Sequence, residues 1–243
     1  MDKYSLCGIE FRRMSNARAL GELGTALKKN TQTIAFTPNL QMISSASRDK
    51  RLVTLLNSAD ILLPDGIGIR LACRKNGLPP VEKIAGIDAA YSLLRYASVR
   101  GYRVFLLGGK KGIAELAAKN LKSQFPALTV CGTHHGYFDK HKKSPQNKAV
   151  LKKIRDSKPH ILFVCFGFPT QEAWIKQNAP SLPSVRLFMG LGGSLDVWSG
   201  KLHRAPRVFQ KLNLEWLWRC ACEPKRIIPL VKNMVTFFSS EVY

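Results

Sequence analysis

Six short apolar runs, rich in β-branched residues, recur along this chain at 33–37, 61–63, 103–107, 128–131, 160–166 and 185–189, and the segments between them are long enough for helices. Strands that alternate with helices pair in parallel, and a parallel sheet is covered on both faces. The run Ile161-Leu162-Phe163-Val164-Cys165-Phe166 offers water no polar face, so it is expected at the sheet centre. Helical periodicity fits 17–28, 40–57, 67–75, 87–100, 112–124, 145–156 and 169–178. The expected fold is α/β: a Rossmann-like, mostly parallel sheet with helices on both faces and a C-terminal helical appendage.

With 243 residues, 45% of them hydrophobic, the chain can bury a full core, read here as a domain over 1–198 and an appendage over 199–243. Lys and Arg outnumber Asp and Glu by 38 to 16, so the partners are anionic: phosphates, nucleotide sugars, acidic lipids or nucleic acid. Nucleic acid is the weakest of these, because the basic pairs are scattered and no helix-turn-helix, RNA-recognition or zinc signature directs them. Six unpaired cysteines, two of them (Cys131 and Cys165) inside apolar runs, suit a reduced cytoplasmic protein. Cys220 and Cys222 lack a second pair at zinc spacing, and His134-His135 reads as a loop pair. The first residues show no apolar stretch behind a basic start, so secretion is not expected, and no run reaches the roughly 20 apolar residues that span a bilayer. The apolar stretch 227–238 is broken by Pro229 and Lys232, so it can lie on a membrane but not cross one.

In open parallel sheets ligands sit outside the carboxyl ends of the strands. Here those positions carry Thr37-Pro38-Asn39, Pro64-Asp65-Gly66, Gly108-Gly109, Gly136-Tyr137-Phe138, Gly167 through Gln171-Glu172, and Gly190-Leu191-Gly192-Gly193. Asp65 is either a turn-capping carboxylate or a general base toward an attacking hydroxyl. Thr37 and Asn39 either cap the next helix or donate to a sugar or phosphate. The glycine pairs lie between strand and helix, where backbone N–H groups favour an anion, although Gly108-Gly109-Lys110-Lys111 lacks the Walker spacing. Gln171 could read an amide or uracil edge, whereas Glu172 in a first turn complements the helix dipole.

Past Pro206 the chain changes character. Phe209, Leu212, Trp216 and Cys220 share one helical face, and Arg207, Lys211, Glu215 and Arg219 step by four along another, the pattern of a basic amphipathic helix. Leu212 and Trp216 are expected in the core. The basic face suits an anionic leaflet at about 1 kcal/mol per well-placed Lys or Arg. An apolar face over 206–238 with no place on its own domain would be covered by membrane or by a second copy in a homo-oligomer.

These motifs together resemble the WecG/TagA/CpsF family of bacterial glycosyltransferases over nearly the whole chain. The resemblance rests on Thr37-Pro-Asn39, Leu63-Pro-Asp-Gly66, Gly167-x-Pro-x-Gln-Glu172, Gly190-x-Gly-Gly193 with Asp196, Arg204-Ala-Pro206, Leu214-Glu-Trp216, Arg219 and Glu223-Pro-x-Arg226. It implies an inverting transferase that moves N-acetylmannosamine, or a related sugar, from a UDP donor to undecaprenyl-diphosphate-linked N-acetylglucosamine, as in linkage units of wall teichoic acid. It implies work at the inner face of the bacterial cell membrane, with no cofactor and no metal. The family's base falls on Asp65, with Thr37 and Asn39 beside it. Gln171 and Asp196 match donor-side positions, and Arg219 and Arg226 match appendage arginines that meet the diphosphate. Gly108, Gly109, Tyr137, Gly167, Glu172, Gly192, Gly193, Arg204 and Arg207 complete the expected substrate-binding set. With no Asp-x-Asp metal motif in the sequence, arginines are the natural counter-charge for a leaving UDP. A donor such as UDP-glucose or a UDP-linked mannosaminuronic acid fits the same residues.

Overall fold

The computed structural model describes residues 3–29, 31–79, 81–211 and 214–222. Its centre is a six-stranded sheet built from β3 (Thr33–Phe36), β4 (Ile61–Leu62), β5 (Arg103–Gly108), β6 (Thr129–His134), β7 (Ile161–Cys165) and β8 (Leu187–Gly190), in the order β4-β3-β8-β7-β5-β6. Every pairing is parallel. β7 lies inside the sheet between β8 and β5, and all five of its residues are buried.

Side chains alternate across a strand, so each strand of such a sheet supplies two cores. Ile161, Phe163 and Cys165 of β7 join one core with α1 (Asn16–Lys28), α5 (Gly86–Arg100), α6 (Ile113–Gln124) and α9 (Ser194–Trp198). Leu162 and Val164 face the other, with α2 (Leu40–Ala46), α4 (Ile67–Lys75), α7 (Pro145–Ser157) and α8 (Thr170–Asn178). Capping follows the sequence. Ser15 accepts from the Arg18 N–H to start α1, and Ser144 accepts from Gln146 ahead of Pro145 to start α7.

The structure departs from the sequence reading in four places. The helix expected over 40–57 is two: α2 ends at Ala46 and α3 (Lys50–Leu56) restarts behind Asp49, whose carboxylate caps the Arg51 N–H. The serines before the break turn their hydroxyls back on the helix, Ser45 to the Gln41 carbonyl and Ser47 to that of Ser44, which weakens a helix end. β6 runs three residues past the apolar run, with a register shift opposite Val104 and Phe105 that passes over Cys131. Gly132 is needed there, because a Cβ would lie 2.5 Å from the Phe105 ring.

An N-terminal hairpin was not anticipated. β1 (Lys3–Leu6) and β2 (Ile9–Arg12) pair antiparallel and place Tyr4, Leu6, Ile9 and Phe11 in the second core. The turn holds Cys7 at φ 53° and Gly8 at φ 78°, the paired positive φ of a tight hairpin turn.

The single amphipathic helix expected after Pro206 is two short ones, α10 (Arg207–Lys211) and α11 (Glu215–Cys222). The Leu214 N–H returns to the Phe209 carbonyl, and the Phe209 ring packs at 5.6 Å on Trp218, which folds the second helix back on the first. Trp216, expected in the core, is instead 38% exposed, because α11 turns Glu215 inward. Leu212 lies outside the described residues. No helix among the described residues is long and apolar enough to cross a membrane.

The hairpin is an integral part of the core. Phe11 is fully buried and stacks on Tyr4 at 5.2 Å, so Phe11→Ala is expected to lower unfolding free energy by about 3–5 kcal/mol in urea titration.

Candidate active site

The strand order brings the turns after β4, β3, β8, β7 and β5 to one edge in that sequence. Asp65 follows β4 on Leu63-Pro64, and its position is over-determined by backbone bonds: its own N–H donates to the Pro38 carbonyl at 2.8 Å, and the Ile84 N–H donates to Pro64 at 2.9 Å. The half-buried carboxylate accepts from the Gly86 N–H at 3.4 Å, the first residue of the 15-residue α5. The carboxylate thus lies at the positive end of a helix dipole, a position that suits an acidic side chain.

Thr37 stands between Asp65 and the middle of the sheet. Its Oγ1 donates to the Gly190 carbonyl at 3.0 Å, and its methyl packs so closely on Gly86 that a Cβ there would come within 2.7 Å. Asn39 is exposed and caps α2, its Oδ1 accepting from the Met42 N–H at 3.0 Å. The turns after β3 and β4 are thus tied to each other and to the end of β8.

Gln171 ties the next two turns. It is 3% exposed, and its Oε1 accepts from Gly192 at 2.9 Å and from Gly167 at 3.3 Å while its Nε2 donates to Glu172 at 2.9 Å. Its amide acts from beneath the edge, shaping the loops after β7 and β8. Glu172 is fully buried behind it, away from the edge, with Oε2 lacking a hydrogen-bond partner among the described residues. Burial pushes its carboxyl up to about 7, opposed by the Gln171 bond. Nothing in the local sequence distinguishes that state from an ordinary first-turn glutamate.

Two backbone N–H groups expected to face an anion are already committed. Gly109 donates to the Cys165 carbonyl at 3.2 Å, and Gly192 donates to Gln171. Gly108 lies so close to that strand end that a Cβ would sit 2.3 Å from the Cys165 oxygen, at φ +142°. Gly193 is exposed and opens α9, whose first turn carries the half-buried Asp196. Across the edge, Gly136 donates to the Gly109 carbonyl at 2.8 Å, and Tyr137 beyond it is 70% exposed. Behind that loop Lys140 sits 4.7 Å from the Phe138 ring centre and 4.6 Å from that of Phe166. This half-buried cation is not among the residues singled out from the sequence, where it is one of the scattered basic residues.

Arg204 is bidentate to Asp88, at 2.5 and 2.7 Å, and lies 3.5 Å from Glu215. Lys83, in the segment between α4 and α5, meets Glu215 at 2.5 Å. Arg207 is exposed at the start of α10. Arg219 belongs to α11 by its backbone, but its side chain and the whole of Arg226 lie outside the described residues. Among the described residues no three His, Cys, Asp or Glu side chains gather closely enough to hold a metal ion.

The arrangement offers a fixed carboxylate at one end of a polar edge and glycine turns, an exposed aromatic and Asp196 along the rest. A carboxylate at a strand end beside polar turns is the kind of arrangement in which a general base can work. Comparison with known proteins gives the family. The family model described as "Glycosyl transferase WecG/TagA/CpsF family" matches residues 4–240. Proteins of Staphylococcus aureus strains NCTC 8325 / PS 47 and COL, each named N-acetylglucosaminyldiphosphoundecaprenol N-acetyl-beta-D-mannosaminyltransferase, are 32% identical over 227 residues, which is 93% of this chain and 87% of theirs. The strain MRSA252 protein of the same name is similar to the same extent.

The buried Glu172 gives a pH signature. A carboxyl whose folded value is raised stabilises the fold fully below its unfolded value near 4.5, and that contribution is lost as pH rises through about 7. Wild type is therefore expected to lose on the order of 3 kcal/mol relative to Glu172→Gln between pH 4.5 and 8, read by denaturant titration at each pH.

Proposed function

The chain belongs to the WecG/TagA/CpsF family of glycosyl transferases, and on that premise we propose that it transfers N-acetylmannosamine from a UDP donor to N-acetylglucosamine carried on undecaprenyl diphosphate. The printed name of the staphylococcal relatives supports the sugar and the acceptor. The observation that carries the chemistry is the Asp65 carboxylate, held at a strand end by the N-terminus of α5.

In this reading the acceptor hydroxyl oxygen attacks the anomeric carbon as its proton passes to Asp65. The bond from that carbon to the UDP oxygen breaks, UDP departs, and the configuration inverts. Thr37 and Asn39 define the wall beside the base. Gly108, Gly109, Tyr137, Gly167, Gly192, Gly193 and Asp196 line the donor side, and Gln171 holds two of those loops in shape. Arg219 and Arg226 offset the charge that develops on the leaving diphosphate, a role suited to guanidinium groups.

A lipid-linked acceptor puts the work at a membrane surface. Val208 is 63% exposed and Leu217 44%, and with Trp216 and Arg207 they give the appendage apolar and basic groups suited to the boundary of an anionic leaflet. This supports peripheral attachment at the inner face of the cell membrane.

The decisive assay is transfer of radiolabelled N-acetylmannosamine to a soluble analogue of the lipid-linked acceptor. Asp65→Asn is expected to keep the wild-type melting temperature and lose about 10²–10⁴-fold in turnover. Near-normal transfer by that variant removes Asp65 from the chemistry, and transfer of a different sugar from a panel of UDP donors reassigns the donor. Arg219→Ala and Arg226→Ala are expected to lower transfer with little change in thermal stability, and unfolding of both would make them structural.

A further inference from the structure

We propose that Lys83, Asp88 and Arg204 form a charged clamp on Glu215 that positions α11 beside the Asp65 carboxylate. They are then positioning residues, acting on transfer through the appendage. The proposal rests on the transferase reading and adds how the appendage is held to the core.

The clamp joins segments far apart in sequence. Lys83 Nζ reaches Glu215 Oε2 across 132 positions, and the Arg204 guanidinium reaches the Asp88 carboxylate across 116. Arg204 Nη2 also lies 3.5 Å from Glu215 Oε1, so the two oxygens of one carboxylate face two different cations. The side chains of Lys83, Glu215 and Arg204 are only 16, 24 and 24% exposed. Asp88, the bidentate partner of Arg204, is 57% exposed, so the weight of the clamp falls on the partly buried Lys83–Glu215 pair: exposed pairs are worth little, whereas removing one member of a partly buried pair leaves the other uncompensated.

The location ties the clamp to the site. Lys83 and Asp88 flank Gly86, whose N–H meets Asp65. The segment that orients the base therefore also receives the first residue of α11. Among the described residues, Trp218 also donates to the His203 carbonyl at 3.3 Å, and its ring packs on Phe209 within the appendage itself. In a chain with 38 basic and 16 acidic residues, two acids converge on two cations here, and the charge balance is local.

The test uses the full chain with two readouts, hydrogen exchange of the 214–222 backbone and steady-state sugar transfer. Glu215→Lys is expected to speed exchange in 214–222 by about tenfold or more and to lower kcat/KM by a similar factor, while exchange in β5 and β7 stays at wild-type rates. The double exchange Lys83→Glu with Glu215→Lys is expected to restore both readouts in part, which a merely destabilised fold would not do. Unchanged exchange in Glu215→Lys overturns the clamp, as does failure of the double variant to recover protection. Faster exchange with unchanged transfer overturns the positioning role. Absence of transfer by wild type would instead sink the transferase reading, and the exchange arms would still decide whether the clamp exists.

Discussion

Burial of the sheet on both faces is the constraint from which the rest follows. β7 and β8 have no residue facing water, and β5 has only Arg103 at its amino end. A polar group placed within such strands would lose its hydration without recompense. Chemistry is therefore confined to the strand ends, and the parallel pairing puts all of the carboxyl ends on one edge. The sheet decides where a site can be before any catalytic residue is considered.

Holding that edge in shape requires a second layer of polar contacts beneath it. Thr37 ties the β3 turn to the end of β8, Gln171 ties the β7 turn to the β8 turn, and Gly136 ties its loop to Gly109. These bonds spend donors and acceptors that would otherwise look available to a substrate. Gln171 illustrates the trade: its amide oxygen accepts from two loops and its Nε2 donates to Glu172, so it serves the shape of the edge from inside the protein.

Much of this was legible in the chain. The apolar runs and helix periods gave most strands and most helices within a residue or two, β6 excepted, because buried parallel strands and one-sided helices leave strong local patterns. Capping by Asn39 was legible too, as one of two alternatives, since an Asn before an apolar helix start does that work by local geometry alone. The hairpin was missed although Tyr4, Leu6, Ile9 and Phe11 alternate, because Cys7-Gly8 is not one of the usual turn pairs. The burial of Glu172 and the pairing of Glu215 with Lys83 have no local signature at all. Both depend on which surfaces meet once the sheet has assembled, and a sequence period cannot encode a contact across 132 positions.

That distinction bears on how a strongly basic chain can run base chemistry. Under the proposed transfer, a net charge of +22 would attract an anionic donor and acceptor but would also hold a nucleotide product. Turnover needs the positive charge near the reacting atoms to be metered. Around Gly86 it is: Asp65 rests on the N-terminus of α5, while Asp88 and Glu215 occupy Arg204 and Lys83. Those two cations are engaged by the protein's own carboxylates, so under the proposed transfer the counter-charge for a leaving diphosphate has to come from other basic side chains, the role proposed above for Arg219 and Arg226.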